Sequence, residues 1–137
     1  MALTTDELKR NNYVLHTAFG MVEICGLDED WVCIIKNEDQ KEWYDLEDGF
    51  IEPIPLTEEW LVKLGFYENE YSLSDRLAGL SKSKDRLFYP PFDGSPIEIH
   101  KGKMYHNLNT NRFEIKYVNQ LQNLYHALTG KELTTQP

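Results

Sequence analysis

The sequence predicts an α+β fold: a small antiparallel β-region, SH3-like or meander, followed by a short helix, β-hairpin elements and a C-terminal amphipathic helix. Three observations carry this expectation. Four or five short strand-like segments follow one another between residues 13 and 54 at spacings of about ten residues, the rhythm of a small barrel or meander. Residues 57–66 hold helix start and stop signals in immediate succession. Val118, Leu121, Tyr125 and Leu128 recur at spacings of three and four, which places them on one apolar face of a helix.

Taken in order, residues 4–10 read as a short helix. Thr4 and Glu7 have the spacing of a capping box, and Asn11-Asn12 ends the segment. Strands are expected at 13–16, 21–25, 31–36 and 41–45, with a short fifth at 50–52. Phe19-Gly20 and residues 26–30 serve as connections, and 37–40 is polar and turn-like. In the next helix Thr57 is the N-cap, and Glu58 and Glu59 sit where the helix dipole favours negative charge. Leu56 and Leu61 fit a hydrophobic staple, and Gly65 supplies the left-handed residue after the last turn. Trp60, Leu61 and Leu64 form its packing side.

Ser74 is placed to cap a turn of helix through Leu80, although Gly79 weakens it, and 81–85 is polar. A strand at 87–89 runs into the aromatic-proline loop 89–94. Residues 97–115 read as three strands, with Lys101-Gly102 as a two-residue hairpin turn. The final helix runs from 118 to 129, stopped by Gly130, and the tail 131–137 is expected to fray. The whole reads as one domain, 1–137, with a β-rich half over 10–56 and the helix, strands and C-terminal helix over 57–130.

A chain of 137 residues buries roughly two-thirds of its unfolded surface, enough for a core without disulfides or metal. Its net charge of −9 repels phosphate backbones, so a nucleic-acid partner is not expected; Lys82, Lys84 and Arg86 form only a loose basic cluster. The first residues lack the apolar core of a signal peptide, and no apolar run reaches the roughly 18–20 residues of a membrane span. The expected location is cytoplasmic, with no membrane partner and the thiols reduced.

The chain has no CxxC, HExxH, phosphate-loop or GxSxG motif, so neither a cofactor nor a catalytic residue is assigned. His100 and His106 flank the Lys101-Gly102 turn at even spacing, and with Glu98 they offer three metal-ligating side chains; ordinary histidines on an exposed sheet face are the plainer reading. Cys25 and Cys33 lie symmetrically about Glu29. If their strands pair as a hairpin they sit opposite each other, either as a redox pair or half a metal site, or as two small apolar side chains. The last helix carries an amide-rich face, Asn119, Gln120, Gln122, Asn123 and His126, suited to a partner chain or nucleobase, or else to a solvated face or one packed on polar backbone.

Residues 52–66 (EPIPLTEEWLVKLGF) and 117–133 (YVNQLQNLYHALTGKEL) resemble segments of a group of small bacteriophage- and prophage-encoded proteins with no assigned activity. The resemblance covers about a quarter of the chain closely, departs most over 67–95, and implies a viral setting in the host bacterial cytoplasm. Small phage proteins without enzymatic motifs often act by binding. The first expectation is therefore a non-enzymatic binding protein that inhibits a host protein, with Trp31, Trp43, Arg86, Tyr89, Phe92 and Arg112 as its candidate surface. A sponge for a nucleotide second messenger is the alternative; Arg76, Arg86 and Arg112 would have to converge, across an oligomer interface if need be. An uncharacterised enzyme is the third reading. The apolar stripe of the last helix would also suit a homo-oligomer.

Overall fold

The computed structural model describes residues 3–37, 40–68, 86–108 and 111–136. The expected helical turn at 74–80 lies outside them. The chain divides into two compact units: residues 1–55 with 117–127, and residues 56–116 with 128–137. The α+β class holds, with one five-stranded antiparallel sheet in each unit.

The first unit contains β1 (Tyr13–His16), β2 (Gly20–Asp28), β3 (Trp31–Asn37), β4 (Gln40–Asp45) and β5 (Ile51–Glu52). Their order is β4-β3-β2-β1-β5, a four-strand meander with β5 returning beside β1. The two-residue period sends Val14, Val22, Ile24, Val32 and Ile34 to one face, where they are buried with Leu3, Leu8, Leu46 and Ile51. Each such aliphatic side chain contributes about 1.5–3 kcal/mol by leaving water.

The predicted helix at 4–10 reduces to a single 3₁₀ turn, Thr5–Glu7, and the Thr4 side chain makes no capping bond. The chain leaves the helical path because Leu8 is extended (φ −116°, ψ 151°) and is drawn into the core. The Lys9 N–H turns instead to Asn12 Oδ1, 2.8 Å away. β2 also runs three residues further than expected, into residues read as loop. Its length accommodates a β-bulge: Ile24 faces Ile34, but Gly26 rather than Cys25 faces Cys33.

The last helix, α2 (Val118–Thr129), has the predicted bounds, followed by Gly130 at φ +75°. Its buried side is not purely apolar: Asn119 and Gln122 are buried with Val118, Leu121 and Tyr125, whereas Leu128 is exposed. Gln122 explains the mixture. Its Oε1 accepts the Tyr13 N–H at 2.8 Å and its Nε2 donates to the Asn11 carbonyl at 3.0 Å. Asn119 and Asn123 donate to the Glu7 carbonyl at 3.2 and 3.0 Å, and Asn123 Oδ1 accepts from Asn12. Asn119, Gln122 and Asn123 of the amide face thus bind the chain's own N-terminal backbone, while Gln120 Oε1 accepts the Tyr117 N–H at 3.2 Å.

The second unit contains α1 (Glu58–Lys63), β6 (Tyr67–Glu68), β7 (Arg86–Tyr89), β8 (Ile97–His100), β9 (Lys103–Leu108) and β10 (Asn111–Glu114), with sheet order β10-β9-β8-β7-β6. α1 starts as predicted, with Thr57 Oγ1 accepting the Trp60 N–H at 3.3 Å. It ends in a paired cap: the Gly65 N–H goes to Val62 and the Phe66 N–H to Leu61. Gly65 is left-handed (φ +89°), and a Cβ there would stand 3.0–3.1 Å from Gln136 and Pro91 side-chain atoms. The tail therefore does not fray as expected. Leu133 is buried, and the Gln136 N–H reaches the Lys63 carbonyl at 2.7 Å.

The Lys101-Gly102 turn has positive φ at both residues (51° and 77°), as a two-residue hairpin requires. It pairs His100 with Lys103 and Ile97 with His106. The partner of an even-numbered residue is thus odd-numbered, so even spacing across the turn reverses the face. Glu98, His100 and Tyr105 lie on one side and His106 on the other with Ile97, which breaks up the suggested Glu98–His100–His106 set. Among the described residues no helix is long and apolar enough to cross a membrane.

Candidate interaction surface

The face of the first sheet opposite its core carries Met21, Glu23 and Cys25 on β2, Trp31, Cys33 and Ile35 on β3, and Lys41, Trp43 and Asp45 on β4. Met21, Trp31 and Trp43 remain 46%, 46% and 49% exposed. Trp31 pairs with Asp45 and Trp43 with Cys33, so the two residues are diagonal neighbours across β3 and β4, with Cα atoms about 7–8 Å apart. β4 is the edge of this sheet. The Trp43 ring lies across Gly26, where a Cβ would stand 3.3 Å from its Cη2 atom. The bulge and the glycine together seat this indole.

The bulge also governs the cysteines. Cys25 is the extra residue rather than the direct partner of Cys33, yet the two sulfurs are 3.0 Å apart. Cys25 is partly exposed and Cys33 is buried; both are free thiols. Burial, with Cys25 beside it, pushes the Cys33 thiol up to about 11.

At the end of β1, sequence reasoning missed an aromatic nest. His16 is buried, with its ring centroid 4.3 Å from that of Phe19, 4.7 Å from Tyr44 and 5.9 Å from Phe50. Its Nδ1 accepts from the Ala18 and Phe19 N–H groups at 3.0 and 3.4 Å, so Nε2 carries the proton in the neutral ring. Nε2 is buried with no hydrogen-bond partner. Phe19 and Phe50 are 44% and 45% exposed. Lys36 lies 4.7 Å over the Phe19 ring and pairs with Glu42 at 3.1 Å, and that ammonium holds the Glu42 carboxyl below its ordinary range. The available signal was parity: His16 follows the core residue Val14 by two positions.

The other four candidate residues belong to the second unit. The Arg86 guanidinium grips two carboxylates, Glu58 at 2.6 and 3.0 Å and Glu68 at 2.7 and 3.1 Å. Its pKa rises accordingly, with the Glu68 hydrogen bond the largest cause. Arg112 donates to Glu98 at 3.0 Å and stacks on Tyr105 at 4.1 Å. Tyr89 stacks on Tyr67 with ring centroids 6.2 Å apart, and Phe92 lies beneath Lys131. An anionic ligand would thus compete with carboxylates already bound to both arginines; Arg76, Lys82 and Lys84 lie outside the described residues.

Also in this unit is an open groove of about 380 Å³ lined by Leu56, Lys103, Met104, Glu114 and Lys116. Its two lysines lean toward Glu114 at 3.7 and 3.9 Å. Among the described residues no group of three His, Cys, Asp or Glu side chains is placed to hold a metal ion. No family model matches the chain, and no curated protein or solved structure matches it.

Proposed function

We propose that the chain is a non-enzymatic protein-binding module that contacts its partner through the Trp31–Trp43 face of the first sheet. The observation that carries this reading is the adjacency of two half-exposed indoles, with Met21 on the same face, at a sheet edge. Single exposed apolar residues are ordinary, but two diagonally neighbouring tryptophans on one strand pair have the composition of a binding hot spot. A net charge of −9 favours a partner with a basic rim, whose approach it would accelerate. The resemblance to phage-encoded proteins makes a bacterial host protein the proposed partner and inhibition of a defence factor the proposed outcome.

The test is capture from bacterial lysate by tagged protein, run beside Trp31→Ala and Trp43→Ala variants whose fold is verified by circular dichroism. One stoichiometric protein should be retained by the parent, and each substitution should weaken its binding by about 30-fold, the effect of a hot-spot residue. Capture that is indifferent to both substitutions would overturn the reading.

A further inference from the structure

We propose that Cys25 and Cys33 form a two-electron redox site, a dithiol that a peroxide-class oxidant converts into an intramolecular disulfide across the β2–β3 bulge. The inference is independent of the binding reading.

The chain has two cysteines in 137 residues, and the fold brings them together. Their sulfurs, 3.0 Å apart, need to close by about 1 Å to reach a bond of about 2.05 Å. The bulge makes that approach accessible, because the extra residue is displaced along the strand and not held in a ladder pair. The two side chains differ in the way a stepwise oxidation needs: Cys25 is partly exposed and meets solvent, while Cys33 is 5% exposed and meets Cys25.

The chemistry balances with hydrogen peroxide as oxidant. Cys25 Sγ, as thiolate, attacks one peroxide oxygen. An S–O bond forms, the O–O bond breaks, and the leaving hydroxide takes up the Cys25 proton as water. Cys33 Sγ then attacks the Cys25 sulfur. The S–S bond forms as the S–O bond breaks, and the departing hydroxide leaves as water with the Cys33 proton. Two thiols and one peroxide become one disulfide and two waters; the sulfurs are oxidised and the peroxide oxygens reduced. With its thiol pushed up to about 11, Cys33 is a slow attacking group at neutral pH, so closure should quicken as pH rises.

Trp43 supplies an internal reporter, since its ring lies across Gly26 beside the Cys33 Cβ. The experiment treats the full chain with hydrogen peroxide and follows intact mass, free thiols and tryptophan emission. The expected result is loss of both thiols, a mass lower by two hydrogens, a Cys25–Cys33 cross-linked peptide and a fall in emission, all reversed by dithiothreitol. Trp43→Phe should remove most of the emission change while leaving the mass change. Cys33→Ser should halt at a Cys25 sulfenic acid that dimedone traps, and Cys25→Ser should leave Cys33 reduced. The proposal is overturned if both thiols survive, if Cys25 gains oxygen atoms while Cys33 remains alkylatable, or if only intermolecular disulfides form.

Discussion

Replacing Gln122 with leucine tests the energetic role of the amide face. The side chain is fully buried and closes two bonds of opposite sense, accepting from the Tyr13 N–H at 2.8 Å and donating to the Asn11 carbonyl at 3.0 Å. Leucine has similar bulk and neither function. The two backbone groups would stay beneath the helix without these bonds, at about 1–3 kcal/mol for each buried group. Because the Asn11 bond is only part-buried, the expected total is about 2–4 kcal/mol. With a urea slope of about 1–3 kcal/mol per molar, the unfolding midpoint should fall by about 1–2 M at unchanged slope.

Gln122→Glu sharpens the test. A carboxylate still accepts from Tyr13 but turns a lone pair on the Asn11 carbonyl, whereas a protonated carboxyl donates there as the amide does. Folding then favours the protonated form, so the folded pKa lies above the unfolded one and the variant's deficit should shrink as pH falls toward 5. A Gln122→Leu cost under about 0.5 kcal/mol, or a Gln122→Glu deficit equal at pH 5 and pH 8, would refute the reasoning.

Two further predictions follow from the charges. The Arg86 cluster is partly exposed, so its four short bonds should yield little: Arg86→Met should cost about 1 kcal/mol or less in denaturant melts, and Arg86→Lys should not restore the loss, because an ammonium cannot grip two carboxylates with a planar fork. For Cys33, a thiol pKa raised from 9.0 to about 11 means the folded state holds its proton more tightly. That stability is present below about pH 9 and lost as pH rises toward 11, at most about 3 kcal/mol. Under reductant, Cys33→Ser should show a flatter alkaline decline, and parallel curves would contradict the assignment.

What was legible in the sequence was local. α1 announced its Thr57 cap and its Gly65 stop because both act within a turn, and β1 to β4 announced themselves as short strand-like runs at spacings of about ten residues. Distant pairings were not legible. Nothing near Arg86 indicates that its carboxylate partners lie 18 and 28 residues away. The bulge at Cys25 is an extra residue that alternation cannot show, although the adjacent Gly26 is a weak sign of one. The surface residues Trp31 and Trp43 were found from composition, whereas His16 was hidden by being read as one more strand residue. The amide face was correctly seen as unusual. Packing on polar backbone was among its expected readings, but which stretch of backbone it meets was not legible, because irregular backbone leaves no periodic trace.

The closing bonds of each unit have a consequence for synthesis. In the first, β1 and the turn before it wait for Gln122; in the second, the last carbonyl of α1 waits for Gln136. At about 5–20 residues per second, a ribosome that has made Lys63 needs several more seconds to deliver that partner. Neither unit can complete its hydrogen bonding on a half-made chain. Each carries provisional, unclosed structure until its final segment emerges, and a release or pause before that point leaves both sheets formed in sequence but unfinished in fold.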